Sequence, residues 1–287
     1  MSNHPLSVEL VIPSYNRFKV LLNTLKQIRV IYPDLNICVG VQGDIGQASE
    51  GYFASDNKVR LINMPSPSTT NALNRCINSS EANIVLILDD DAVPCFGWLE
   101  SHVSAFASDL ELTYTCGREI RFQMGRSVYS DAVRIVVEWI FSLFLKKDKT
   151  INGRIVGWTN KLGLIFGNFD QPGTCLINTP RGCNMAVRKE PFLKMGGFRD
   201  TYWGNAWGFE ADFGLRMAKA GKYGRYVGDA IIVHHEVPSG GSRQFSKFQW
   251  FQDYLHNHKV LISNLGPQAW LGSFPRLAKK VIWLMMK

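Results

Sequence analysis

The chain has 287 residues, 46% of them hydrophobic, and a formal charge of +8. That length holds one large α/β domain or two small ones, and that composition fills a core, which excludes a disordered or fibrous chain. Six cysteines (Cys38, Cys76, Cys95, Cys116, Cys175 and Cys183) form no CxxC pair, so buried thiols are expected rather than a zinc site or a disulfide framework. The charge is uneven: residues 243–287 carry seven Lys/Arg against one acid, Asp253. Such a stretch suits phosphorylated ligands, an anionic membrane surface or nucleic acid. No zinc finger, helix-turn-helix or base-stacking motif accompanies it, so nucleic acid is not the expected partner. No basic, apolar leader precedes Val8, which points to the cytoplasm.

Ser7 to Ile12 reads as a strand, followed by the loop Pro13-Ser-Tyr-Asn-Arg17. Val20, Leu21, Leu25, Ile28 and Ile31 recur at near-helical spacing. Leu35 to Val41 is a second strand ending at Gln42-Gly-Asp44, and Val59 to Ile62 a third. A helix over Thr69 to Ile77 precedes the run Ile84 to Leu88, which ends in Asp89, Asp90 and Asp91. Strands alternating with helices at this spacing indicate βαβ units and a parallel sheet. An Ile/Val-rich run with no polar position is a strand buried on both faces, and ligands gather at the carboxyl end of such a strand. Asp89 and Asp91 face the same way if the chain stays extended. Two such oxygen donors suit Mg²⁺ or Mn²⁺. No GxGxxG follows the first strand, so dinucleotide binding has no support. Pro13, Tyr15, Arg17 and Asp44 share the same sheet edge, where a nucleotide could lie. Tyr15 could pack on its base or ribose, Asp44 could accept from a base N–H, and Arg17 or Arg75 could meet phosphate.

Further on, Phe96 to Ala107 reads as a helix and Leu112 to Ile120 as a strand. Val128 to Lys147 is the most apolar helix candidate, but Glu138 interrupts it and its apolar run falls short of the roughly 20 residues that cross a bilayer. Burial or a homodimer contact fits it better than a membrane interface. Residues 150–178 are punctuated by glycines and read as short strands and loops. After Trp207-Gly-Phe-Glu-Ala-Asp-Phe-Gly-Leu-Arg216, a late strand over Tyr226 to Val233 leads into His234 and His235. Trp203 and Trp207 are candidates for stacking on a sugar face, with core packing the competing role. The final segment after Pro275 combines Arg276, Lys279, Lys280 and Lys287 with Leu277, Val281, Ile282, Trp283 and Leu284. It suits either peripheral contact with the inner face of a membrane or docking on its own domain.

Ile12-Pro-Ser-Tyr-Asn-Arg17 followed by Leu88-Asp-Asp-Asp91 resembles glycosyltransferase family 2, inverting enzymes of the GT-A fold that use nucleotide-sugars. Arg181-Gly-Cys-Asn-Met-Ala-Val187, Met195-Gly-Gly-Phe198 and Trp207 to Arg216 resemble later segments of that family in the same order. The resemblance implies a GT-A, Rossmann-like, mostly parallel sheet flanked by helices over residues 1–243. A nucleotide-binding half would span about 1–110 and an acceptor-binding half about 111–243, with a basic helical extension over 244–287. It implies Asp91 as direct metal ligand, with Asp89 meeting the metal or the ribose, Asp90 in the donor site, and His234 rather than His235 as a further metal ligand. Asn74-Arg75 stands where relatives carry an Arg-Asn pair, here in reversed order. Aligned back from Arg216, Glu210 takes the place of the catalytic carboxylate and Asp212 is the second choice. Phe209 replaces the usual preceding Glu. Ser239 to Arg243 would be a loop over the diphosphate, with Arg243 countering its charge. The implied reaction passes a sugar from a nucleotide-sugar, UDP favoured over GDP or dTDP, to a hydroxyl of a glycan or glycolipid. Two alternatives are a nucleotidyltransferase on a similar sheet and a nucleotide-sugar-binding scaffold without turnover.

Overall fold

The computed structural model describes residues 6–43, 47–121, 147–235, 246–272, 277–278 and 280–281. Asp44, Arg243, all but Lys147 of the expected 128–147 helix and most of the 275–287 segment lie outside the described residues. The strands are β1 (Val8–Tyr15), β2 (Ile37–Gln42), β3 (Val59–Asn63), β4 (Ile84–Leu88), β5 (Ala92–Pro94), β6 (Tyr114–Arg121), β7 (Thr150–Ile151), β8 (Arg154–Ile155), β9 (Trp158–Thr159), β10 (Ile165–Phe166), β11 (Thr174–Ile177), β12 (Asn184–Arg188) and β13 (Gly224–His234). The helices are α1 (Phe18–Ile31), α2 (Gln47–Ser55), α3 (Thr69–Ser79), α4 (Trp98–Ser108), α5 (Lys189–Lys194), α6 (Phe209–Lys219) and α7 (Lys247–Ile262).

Among the described residues nine strands form one sheet in the order β11-β13-β6-β12-β4-β1-β2-β3, with β5 on β13. The pairs β1–β2, β1–β4, β2–β3 and β6–β13 are parallel. Antiparallel β12 lies between β4 and β6 and brings the second half of the chain beside the first. The mostly parallel α/β sheet is the expected fold class. β4 matches its expected bounds. β1 runs three residues past the expected Ile12, pairing with β2 as far as Tyr15 with Gln42. β4 stops pairing with β1 at Val11, so Pro13 opens no ladder on that side.

Alternation along the strands builds two cores. Leu10, Ile12, Ile37, Val39, Ile84 and Leu86 pack with Leu21, Leu25 and Ile28 of α1 and Trp98 and Phe106 of α4. Val11, Cys38, Val85 and Ile87 face the other way, against Leu73 and Ile77 of α3, Phe192 of α5 and Phe213 of α6. The sheet is thus covered on both faces, which is why its strands carry near-continuous apolar runs. The C-terminal helix α7 belongs to the same body: its Leu261 packs on Ala211 and Leu215 of α6. Among the described residues no helix is long and apolar enough to cross a membrane.

A buried polar cluster joins α4 to β6 and β12. Asn184 Oδ1 accepts from Trp98 Nε1 at 2.8 Å and lies 3.1 Å from His102 Nε2, while its Nδ2 donates to the carbonyls of Arg118 and Ala230. His102 Nε2 must therefore carry the proton, leaving Nδ1 to accept from Thr115 Oγ1 at 2.8 Å. Burial lowers the His102 pKa from 6.5 to about 4. The depressed value makes this contribution complete above pH 6.5 and progressively lost as the pH falls toward 4, because the unfolded chain protonates first. In urea denaturation, moving from near pH 7.5 to about pH 4.5 is expected to cost the wild type about 2.5 kcal/mol more than it costs His102→Gln. An equal pH dependence in both proteins would refute a neutral buried imidazole.

Candidate active site

The carboxyl ends of β1, β2 and β4 open into a cleft of about 520 Å³. Pro13, Tyr15 and Arg17 line it from the end of β1, and Gln42 from the end of β2. Ser68, at the start of α3, caps that helix by accepting from Asn71 N–H, and its own N–H donates to Gln42 Oε1 at 2.6 Å. The acidic run turns sharply after Leu88, so its three carboxylates face different partners. Asp90 accepts from Ser14 Oγ at 2.6 Å and from Arg17 Nη1 at 2.9 Å, and its carbonyl accepts from Thr24 Oγ1. Asp91 is held from two sides, by Arg17 Nη1 at 3.1 Å and His234 Nε2 at 3.0 Å. Asp89 projects into the cleft with 43% of its side chain exposed, 3.9 Å from His234 Nε2. Desolvation by the cleft walls, opposed by His234 and reinforced by Asp91 and Asp90, pushes its pKa up to about 7. Solvent access through the cleft mouth opposes that shift.

His234 ends β13, and its Nδ1 lies 2.5 Å from Glu119 Oε1 of β6. Both ring nitrogens face carboxylates, so both must be protonated. Burial lowers the His234 pKa, but the bonds to Asp91, Cys183 and Glu119 overrule it and the net shift is upward. Glu119 is itself a hub. It accepts from Arg121 Nε at 2.5 Å and forms an ion pair with Arg181 Nε at 2.8 Å, and both arginines line the cleft. Asp89, His234 and Cys183 offer ligand atoms that all lie within 4.8 Å of one another. Carboxylate and imidazole donors at this spacing fit a divalent cation, while burial pushes the Cys183 thiol up to about 12 and keeps it protonated beside them. In this tightest cluster Cys183 stands where the sequence suggested Asp91, which lies one hydrogen bond away on His234.

Glu210 lies in the first turn of α6, and its Oε1 accepts from Gly182 N–H at 3.0 Å. A Cβ at Gly182 would sit 3.1 Å from that oxygen, so a glycine lets the carboxylate reach the backbone. Burial raises the Glu210 pKa, against the opposing pull of N–H groups and Arg181. Asp212 is different. Successive helical residues turn by about 100°, so a residue two positions on faces away. Asp212 is fully buried, paired with Arg216 Nε at 2.9 Å and bonded to Asn264, with Arg199 at 3.5 Å. It is absent from the cleft lining, so the structure does not bring this second candidate base to the site beside Glu210.

Four other expected residues also lie outside the cleft lining. Asn74 donates to Phe198 O and Asp200 and accepts from Phe198 N–H, so it clamps the Gly-Gly-Phe turn to α3. Arg75 is exposed on α3. Trp203 stacks on His256 at 3.6 Å, and Trp207 packs on Tyr254 and His258. Sequence reasoning missed Glu119, Arg121, Cys183, Gln249 and Asp253. The pair Glu119 and Arg121 carried one signal: charges two apart at a strand end share a face.

With this cleft in view, residues 9–166, more than half of the chain, match the family described as glycosyl transferase family 2. The chain belongs to glycosyl transferase family 2. Residues 175–235 match the N-terminal domain of galactosyltransferase. A chondroitin synthase from Escherichia coli is 26% identical over 253 residues, which covers 80% of this family 2 chain and 35% of that protein. The chain therefore spans about a third of that relative's length. Among solved structures, a mannosyltransferase from Pyrobaculum calidifontis in complex with GDP-Man and Mn²⁺ superposes with a TM-score of 0.59 and 15% identity, over 99% of this chain and 76% of the other. GalNAc-T7 with UDP, GalNAc and Mn²⁺ gives a TM-score of 0.62 and 11% identity, over 100% and 57%. Both support the glycosyltransferase fold.

Removing Glu119 leaves His234, Arg121 and Arg181 without their shared counter-charge. Glu119→Ala is expected to lower the unfolding free energy by roughly 3 kcal/mol in chemical denaturation of the ligand-free protein. A loss below about 1 kcal/mol would mean that solvent replaces the hub.

Proposed function

We propose that the protein transfers a sugar, with inversion, from a nucleotide-diphosphate sugar to an acceptor hydroxyl of a glycan or glycolipid. The observation that carries this reading is one cleft holding the acidic end of β4, three arginines and the Glu210 carboxylate. A nucleotide would lie along Pro13, Tyr15, Gln42 and Ser68, with Tyr15 against its base or ribose. Asp44 and Arg243 remain donor-binding candidates on sequence grounds. The structural neighbours solved with GDP-Man and with UDP are consistent with a nucleoside-diphosphate donor, and UDP stays favoured over GDP or dTDP on the family resemblance.

Arg121 and Arg181 offer positive charge to the departing diphosphate, and Glu119 holds both. Glu210 takes the proton of the acceptor hydroxyl. The acceptor oxygen bonds to the anomeric carbon while the bond from that carbon to the diphosphate oxygen breaks. A single displacement of this kind inverts the centre. The raised Glu210 pKa suits it to a base, since its basicity rises with its pKa. Asp89, Asp91 and, once its Nε2 gives up its proton, His234 would hold Mn²⁺ or Mg²⁺, with Cys183 at the same cluster. Such a cation, when bound, stabilises negative charge on the diphosphate as a Lewis acid.

The test is a nucleotide-sugar panel with Mn²⁺ or Mg²⁺ present or chelated, reading thermal stabilisation and donor turnover together. One donor is expected to stabilise the protein only with metal, and Asp91→Ala is expected to abolish this. Glu210→Gln should keep donor binding and lose about a hundredfold or more in transfer rate. If no nucleotide-sugar shifts the protein under any metal condition, the reading fails.

A further inference from the structure

One wall of the cleft comes from neither the sheet nor the acidic run. Gln249 and Asp253, four residues apart on one face of α7, line the cleft beside Gly204, Asn205, Phe209 and Glu210. Asp253 is only 6% exposed, and its Oδ1 accepts from Gln249 Nε2 at 2.8 Å. Among the described residues it has no cationic partner. A buried carboxylate with one neutral donor is costly to keep unless a ligand supplies further donors.

The surroundings are built to hold it there. Gly204 has φ +54°, and a Cβ at that position would come within 2.3 Å of Asp253 Oδ2. No larger residue fits between the carboxylate and the loop. Asn257, one turn further along α7, brackets Trp203 by accepting its N–H at 2.8 Å and donating to its carbonyl at 2.9 Å. His256 bonds to Thr201 O and stacks on Trp203. The loop that α7 pins in this way leads directly into α6, whose second residue is Glu210. Asp253 is therefore fixed relative to the proposed base.

We propose that Asp253 and Gln249 form a subsite for the hydroxyl groups of a pyranose ring. The proposal rests on the glycosyl-transfer reading and adds the residues that select the sugar. A carboxylate accepts from hydroxyl hydrogens, and with the Gln249 amide donating to Oδ1, the Oδ2 beside Gly204 is left to accept from a ligand hydroxyl. Paired acceptor and amide groups on a rigid helix discriminate sugars by hydroxyl position, because a missing hydroxyl leaves a buried charge unsatisfied.

The ring belongs either to the transferred sugar or to the acceptor, and titration of Asp253→Asn and Gln249→Ala separates the two. The probes are UDP alone and the UDP-sugar or GDP-sugar that the wild type turns over. A transferred-sugar contact predicts a drop of about ten- to a hundredfold in nucleotide-sugar affinity for Asp253→Asn with unchanged affinity for the bare nucleotide. An acceptor contact predicts unchanged donor affinity and unchanged donor hydrolysis. In that case the stimulation of turnover by added monosaccharide and oligosaccharide glycosides falls by the same factor. Equal behaviour of wild type and both variants in all of these assays, at matched melting temperature, overturns the subsite while leaving glycosyl transfer intact. A wild type that neither binds nor turns over any nucleotide-sugar overturns both. If Asp253→Asn does not fold, Gln249→Ala decides, with a several-fold change of the same pattern expected.

Discussion

The structure depends on gathering like charges at one point without letting them repel. Two carboxylates about 4 Å apart oppose each other by about 4 kcal/mol near a protein surface. Asp90, Asp91 and Glu119 are all buried. A continuous chain of contacts answers this. Asp90 and Asp91 share Arg17, Asp91 and Glu119 share His234, and Glu119 also takes Arg121 and Arg181. Three arginines and a doubly protonated imidazole thus balance those three carboxylates and Asp89. Each of these buried charges is paired, which is the condition under which burial of charge is tolerable.

That balance requires the two halves of the sheet to meet. Arg17 follows β1 and the acidic run follows β4, so those partners come from adjacent parallel strands. Glu119 and His234 come from β6 and β13, a parallel pair on the other side of β12. Antiparallel β12 closes the gap, and Asn184 at its start ties β6 and β13 together through the carbonyls of Arg118 and Ala230. Gly117 faces Asn184 across this seam. A Cβ there would lie 2.2 Å from Ala230 O and 2.4 Å from Asn184 Nδ2. The polar cluster behind the sheet and the charge network in front of it are joined by one strand.

How much of this could be read from the sequence follows the range of the interactions. β4 was legible to the residue because an apolar run ends in three acids, both local signals. Glu210 over Asp212 was legible in principle, since helical rotation turns one toward the cleft and the other into α6's packing face. The sequence alignment alone left both open. Helix α2 went unread because Gln47 to Ser55 lacks an apolar stripe. Glu119 could not be assigned because its role arises from β6 lying beside β13, some hundred residues apart in the chain. Asn74 was read as a ligand contact, but a side chain that clamps a distant Gly-Gly-Phe turn leaves the same polar signature in sequence.

The C-terminal helix shows the same limit most plainly. Its aromatic residues and basic neighbours read as a helical extension of the domain, because composition changes near residue 243. Packing follows a different logic. Tyr254 and His258 take Trp207 between them and the start of α6, Leu261 fills the gap left by Gly208, and Asn257 grips the backbone of Trp203. These contacts set the rotation of α7, so that Gln249 and Asp253, on the same stripe as Asn257, reach the cleft. The aromatic residues that read as sugar platforms pack against α7 and do not line the cleft. By stacking against α7 they fix its polar face, and that face, rather than the tryptophans, meets the cleft beside Glu210.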